Sequence, residues 1–193
     1  MKILVVLAHP NAGKSFNRAI ADTVYRTLAD MGHEPVLSDL YAEGFDPVMP
    51  FGEEKLPVDQ LPVQIQKTIA EVNSADGFVF VHPNWWGTPP AILKGWLDRV
   101  FRAGFAYSFS ANGVVSNFTD KTAQVFTTSN TPRDVELTVY HDPLENFWKT
   151  IVFGLVGCRS FARRNFEPVI VSTAEQRAEW LREVEGTIRK RFA

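Results

Sequence analysis

At 193 residues, 45% of them hydrophobic and with a net charge of −2, the chain is long enough to bury a core and makes no electrostatic case for nucleic acid. Its single cysteine, Cys158, excludes a disulfide framework and a thiolate-based metal site. The opening apolar run Ile3 to Ala8 is too short for a signal peptide, and Ile151 to Cys158 is far short of a membrane span. The expectation is one domain over residues 1–193, with the cytoplasm as default compartment and no transmembrane segment.

Ile3 to Ala8 reads as a buried strand, His9 to Lys14 as a loop, and Ser15 to Met31 as a helix. That helix carries an apolar stripe from Phe16 through Ile20, Val24 and Leu28, with Ser15 as a natural N-cap and Gly32 closing it. Glu34 to Ser38 reads as a second strand. Residues 40–62, with four prolines, form a long loop of the kind that is usually functional or interfacial. A helix over Val63 to Ser74 leads into Gly77 to His82, a continuous apolar run with the pattern of a strand covered on both faces. Asn84-Trp85-Trp86-Gly87 makes a turn. From Pro90 onward Leu93, Trp96, Leu97, Val100 and Phe101 form one helical face. Gly104 to Thr119 is a second long connection, Lys121 to Thr128 a fourth strand, and Pro143 to Val156 a helix. A fifth strand is expected around Phe166 to Ser172, and a last helix from Ala174 with Ala178, Leu181, Val184 and Ile188 inward. The Arg163-Arg164 pair reads as solvated surface.

Strands alternating with helices predict βαβ crossovers and an α/β three-layer sandwich: a five-stranded parallel sheet in the flavodoxin-like order 2-1-3-4-5, helices on both faces. Ligands of such sheets sit at the carboxyl ends of the strands where the order reverses. That rule selects three loops: His9 to Ser15, Pro83 to Gly87, and Thr127 to Pro132. The first runs into a helix N-terminus, an anion site in which His9, Ser15 and Asn17 can add side-chain hydrogen bonds. In the second, a turn can bury at most one of two adjacent tryptophans, so a planar ligand against Trp85 and Trp86 would account for the other.

A competing reading is nucleotide binding. Residues 8 to 15 fall one substitution short of the P-loop pattern G-x-x-x-x-G-K-[ST]. Against it, Ala8 puts a Cβ at the tight turn, Pro10 removes a cradling N–H, and no later strand ends in an aspartate suited to magnesium.

The stretches ILVVLAHPNAGKSFN, SDLYAEGFDPVM, VHPNWWGTPPAILKGWLDRVFRAGFAYSF and TTSNTP resemble the flavodoxin-like NAD(P)H:quinone oxidoreductases, a group that includes DT-diaphorase and the ancillary reductases of potassium-efflux systems. The similarity runs over most of residues 1–131, and P-P-A-I-L-K-G-W-x-D-R-V-F followed by F-A-Y is its most specific part. The resemblance implies a homodimer with a bound flavin, reduced by NAD(P)H and reoxidised by a quinone or similar acceptor in turn. The lack of a long C-terminal extension points to FMN, with FAD as the other possibility. By this likeness His9, Ser15, Phe16 and Asn17 hold the phosphate end, Pro83, Asn84, Trp85, Trp86 and Gly87 contact the ring, and Thr127, Thr128, Ser129 and Asn130 face its pyrimidine end. Tyr107 falls where the family lines its acceptor pocket, and Phe109 replaces a second family tyrosine. Tyr140 and His141 are candidates by residue type. Tyr107 or His141 could donate a proton or hydrogen bond to a quinone oxygen. Backbone N–H groups of Ser129 and Asn130 would stabilise charge on the reduced ring. A flavin-binding regulatory or electron-carrier module is the third reading, although a small one-electron carrier is usually more acidic than this chain.

Overall fold

A computed structural model of the chain describes residues 1–11 and 13–193. Five parallel strands, β1 (Lys2–Leu7), β2 (Glu34–Asp39), β3 (Gly77–Pro83), β6 (Thr122–Thr128) and β7 (Ser160–Phe166), form one sheet in the order β2-β1-β3-β6-β7. Numbered within the sheet alone, this is the expected 2-1-3-4-5 pattern. The two remaining strands, β4 (Tyr107–Ser110) and β5 (Gly113–Ser116), pair as an antiparallel hairpin inside what the sequence reads only as a long connection.

Strand alternation splits the core in two. Ile3, Val5 and Leu7 of β1 pack with Ile20, Val24 and Leu28 of α1 (Phe16–Asp30) and with Trp180, Val184 and Ile188 of α7 (Ala174–Arg191). Leu4 and Val6 face the other way, onto Ile65, Ile69 and Val72 of α2 (Val63–Ser74) and Leu93, Trp96 and Val100 of α3 (Ala91–Val100). Buried on both faces, β1 and β3 are apolar over Ile3 to Leu7 and Phe78 to Val81, which is why both stand out in the sequence.

The long loop 40–62 folds back on α3. Glu53, in a single 3₁₀ turn, accepts from Arg99 through both carboxylate oxygens at 2.8 and 2.6 Å, and both residues are buried. Gly95 makes the close approach possible, since a Cβ there would run into the Pro47 carbonyl. None of this loop lines the cleft described below, although Met49 and Glu54 line a second, smaller cavity.

The last third differs most from expectation. β7 lies six residues earlier than the strand expected at Phe166 to Ser172, and Val169–Val171 is a 3₁₀ turn with Ile170 and Val171 exposed. The apolar V-I-V run imitates a strand, while the true strand, S-F-A-R-R-N-F, hides its identity behind two arginines. As an edge strand it tolerates them. Arg163 is not solvated surface: its side chain is buried and paired with Asp142 and Glu145. The expected helix over Pro143 to Val156 consists of α5 (Pro143–Asn146), a π-helical stretch over Phe147–Val152 and α6 (Phe153–Val156). In α7 Trp180, Val184 and Ile188 are buried and Leu181 packs partly buried beside them, while Ala178, also expected inward, is exposed. A short helix, α4 (Arg133–Thr138), follows the β6 loop.

Candidate functional site

The carboxyl ends of β1, β3 and β6 open into one cleft of about 860 Å³. Thirteen of the sixteen residues expected at a site line it: His9, Ser15, Phe16 and Asn17; Pro83, Asn84, Trp85, Trp86 and Gly87; Thr128, Ser129 and Asn130; and Tyr140. Three do not, namely Thr127, Tyr107 and His141.

At one end stands the N-terminus of α1. The Ser15 hydroxyl accepts from the Arg18 N–H at 3.1 Å, capping the helix and leaving other first-turn N–H groups without helical partners. His9 Nδ1 accepts from the Asn11 N–H at 3.1 Å, so the neutral ring carries its proton on Nε2, and burial pulls its pKa below the usual histidine value. Asn17 is buried. Its Nδ2 donates to Thr128 Oγ1 at 2.9 Å, but its Oδ1 has no protein partner. The Thr128 hydroxyl can both donate and accept, so the amide can present either end to a ligand. Phe16 closes this end from below, its ring edge-on to Phe166. Ala12, within the near-P-loop stretch, lies outside the described residues.

The opposite end is the corner after β3. Trp85 and Thr88 exchange both backbone hydrogen bonds at 3.1 Å, with Trp86 (φ 57°) and Gly87 (φ 72°) between them in left-handed conformation. Two successive positive φ values in a two-residue connection make a type I′ turn. Glycine suits that conformation, and tryptophan is strained in it. Trp86 is 100% exposed and Trp85 42%, so the chain buries neither ring of this corner. The Asn84 side chain holds the turn, accepting from the Gly87 N–H at 3.0 Å and donating to Glu136 Oε1 at 3.1 Å.

The third wall is stitched rather than open. Ser129 N–H donates to the Phe166 carbonyl at 3.0 Å, Val169 N–H to the Ser129 carbonyl at 3.0 Å, and Ile170 N–H to Asn130 Oδ1 at 2.9 Å. This corrects the expectation of paired donors, since the Ser129 N–H is spent on the neighbouring strand's exit and only that of Asn130 remains. Thr127 is fully buried. Consecutive strand residues face opposite sides, and its hydroxyl donates to Asn165 Oδ1 at 2.8 Å and accepts from Arg163 at 3.1 Å, behind the cleft. Tyr107, on the β4–β5 hairpin, lines a separate cavity of about 330 Å³ with Arg102, Phe147 and Ile151. His141 sits at φ 57° outside the cleft, whereas its neighbour Tyr140 lines it.

Glu136, Pro143 and Val169 also line the cleft, none of them among the expected site residues. Only Glu136 had a discernible signal: Pro132 followed by acidic residues at 134 and 136 is a helix-start pattern. Among the described residues no cluster of histidine, cysteine and carboxylate side chains could hold a metal ion, and no helix is long and apolar enough to cross a membrane.

With this geometry the chain belongs to the flavodoxin-like fold family, whose pattern matches residues 1–188. It is 36% identical over 129 residues to a protein of Haemophilus influenzae called an uncharacterized NAD(P)H oxidoreductase, a match covering 66% of this chain and 64% of that one. Against other curated relatives, among them quinone dehydrogenases, it spans about half their length, 46% to 53%. Among solved structures, Smu.1420 from Streptococcus mutans superposes with a TM-score of 0.87 at 33% identity, covering 98% of this chain and 100% of that one. The NAD(P)H:quinone oxidoreductase from Methanothermobacter marburgensis superposes with a TM-score of 0.84 at 25% identity, covering 98% of both chains.

Proposed function

We propose that the protein is a flavin-dependent NAD(P)H:quinone oxidoreductase that binds FMN in the cleft and reduces a quinone or a similar small acceptor. The observation that carries this reading is the pairing of a helix N-terminus at one end of the cleft with an unburied double-tryptophan corner at the other. A ligand that fits must have an anionic tail and a flat ring. The buried Asn17 amide lines the same cleft with its Oδ1 lacking a protein partner, which a hydroxyl or other donor of the ligand would satisfy. Relatives called NAD(P)H oxidoreductases or quinone dehydrogenases support the same chemistry.

Within this reading His9 Nε2–H, the Ser15 hydroxyl and the first N–H groups of α1 bind the phosphate, and the helix dipole favours its charge. Trp85 and Trp86 supply the flat surface and exclude water from one face of the ring. The Asn84–Glu136 hydrogen bond keeps that surface from swinging away. When bound, the flavin supplies the hydride chemistry, accepting from the nicotinamide and passing to the acceptor. Asn130 lines the cleft and its N–H would be the backbone donor to the pyrimidine edge. The ring face away from the tryptophan corner is left to nicotinamide and acceptor in turn, which predicts ping-pong kinetics. Tyr107 lies outside its own chain's cleft, so it can act on the acceptor only from a neighbouring copy, as expected of a homodimer.

An absorbance spectrum of the purified protein, followed by chromatography of acid-released cofactor and an NAD(P)H–quinone assay, tests the reading. Yellow protein releasing FMN and oxidising NAD(P)H in the presence of quinone is the expected outcome. Colourless protein that takes up neither FMN nor FAD would sink it. Light scattering tests the homodimer, and unchanged quinone turnover in Tyr107→Phe and His141→Ala removes those side chains from the mechanism.

A further inference from the structure

Beneath the tryptophan corner lies a buried histidine that neither the fold nor the cleft lining requires. His82 is the last residue of β3 before Pro83 and is fully buried. Its Nε2 lies 3.0 Å from the indole nitrogen of Trp148, and its Nδ1 lies 2.8 Å from the Pro83 carbonyl oxygen. An indole N–H can only donate, so Nε2 must accept, and Nδ1 therefore carries the ring's proton and donates it to Pro83. Hydrogen bonding thus fixes the tautomer. Burial keeps the ring neutral by pulling its pKa down to about 4.

The surroundings argue against a mere filler. Trp148 is itself fully buried, its ring centroid 4.8 Å from that of Phe80 and 5.4 Å from that of Phe153. A phenylalanine or leucine would fill such a place without the desolvation cost of an imidazole. What the histidine adds is direction: it links the carbonyl that opens the Asn84–Gly87 turn to a side chain in the π-helical stretch, a local widening often found at functional sites. Two further ties run between the same segments. The Asn84 amide reaches Glu136, and Gly87 packs so closely on Pro143 that a Cβ would stand 2.7 Å from its ring.

We propose that His82 is a positioning residue for the cleft, coupling the double-tryptophan turn to the 136–148 wall through Pro83 and Trp148 so that the flat surface and its facing wall keep one spacing. This rests on the cleft being a flavin site, and the test keeps the two ideas apart. Three measurements are made on wild type, His82→Phe and His82→Asn: the FMN dissociation constant of the apoprotein by flavin fluorescence, amide hydrogen exchange of residues 84–87 without flavin, and thermal melting. His82→Phe leaves the Trp148 indole N–H and the Pro83 carbonyl without their partner, so it is expected to melt lower than wild type, to bind FMN about tenfold more weakly, and to exchange faster at residues 84–87 than in the rest of the sheet. His82→Asn, whose amide can stand where Nδ1 stood, should recover most of the affinity and protection. Wild-type affinity and wild-type exchange in His82→Phe would overturn the proposal. If wild type takes up no flavin, the cofactor reading fails, while exchange at the turn still decides the coupling. If His82→Phe does not fold, Trp148→Phe replaces it: faster exchange at 84–87 supports the coupling, and unchanged exchange overturns it.

Discussion

Two polar, proline-rich connections of this chain look alike in composition and end in opposite roles. The corner after β3 presents its large side chains outward, with Trp86 fully exposed, while its polar atoms are spent holding the turn still. The loop over 40–62 turns its charge inward, sealing the Glu53–Arg99 pair against α3. Two adjacent exposed tryptophans lining a cleft mark a place for a ligand, whereas a buried and bridged ion pair marks scaffold, and the lone exposed ring of the 40–62 loop, Phe51, lines no part of that cleft. Length and prolines alone do not separate the two cases.

The sharpest break of this comparison is on the scaffold side. Glu53→Ala leaves a buried guanidinium without its carboxylate and should cost about 3 kcal/mol or more in urea unfolding, with flavin affinity of the folded protein unchanged. Replacing the pair together, as Glu53→Leu with Arg99→Met, should recover most of that stability. A drop in flavin affinity as large as that of a corner variant would make the loop part of the site.

Next in size is the acid response under the corner. The unfolded imidazole of His82 takes up a proton near pH 6.5, while the buried one resists until about pH 4. The unfolded state therefore gains protons first as the pH falls. The contribution is fully present above pH 6.5 and is lost progressively towards pH 4, about 3 kcal/mol in all. Unfolding curves of wild type should fall relative to those of His82→Phe across that window and run parallel above it. Parallel curves throughout would mean that the imidazole is not held neutral by burial.

The smallest stability effect carries the clearest functional signature. Trp86→Gly removes a fully exposed side chain from a φ of 57° and should raise stability by roughly 1 kcal/mol through relief of backbone strain. It should nevertheless weaken FMN binding by about tenfold, because one face of the ring slot is lost. Opposite signs on stability and affinity are the prediction, and a loss of both would make Trp86 a structural residue.

The sheet and most of the cleft could be read before any tertiary contact was known. β1 and β3 are buried on both faces, so hydrophobic burial wrote them as continuous apolar runs, and the switch-point rule then named the loops at their ends. Paired tryptophans in a glycine turn needed no context to look misplaced. Where physical chemistry is not local, reading along the chain failed. The edge strand β7 tolerates two arginines because Asp142 and Glu145, 21 and 18 residues away from Arg163, neutralise one of them. Thr127 and Thr128 are adjacent in the chain, yet the pleat sends one to Asn165 and the other to the cleft. The Ser129 N–H looks free for a ligand along the chain, but the fold brings the Phe166 carbonyl to it. Burial pattern and turn chemistry are properties of neighbours in the chain, so the sequence alone determined the parallel sheet and the two ends of the cleft. Which buried charge is paired, which donor is already used and which histidine is held beneath the corner depend on atoms that only folding brings together, and there the tertiary structure decided.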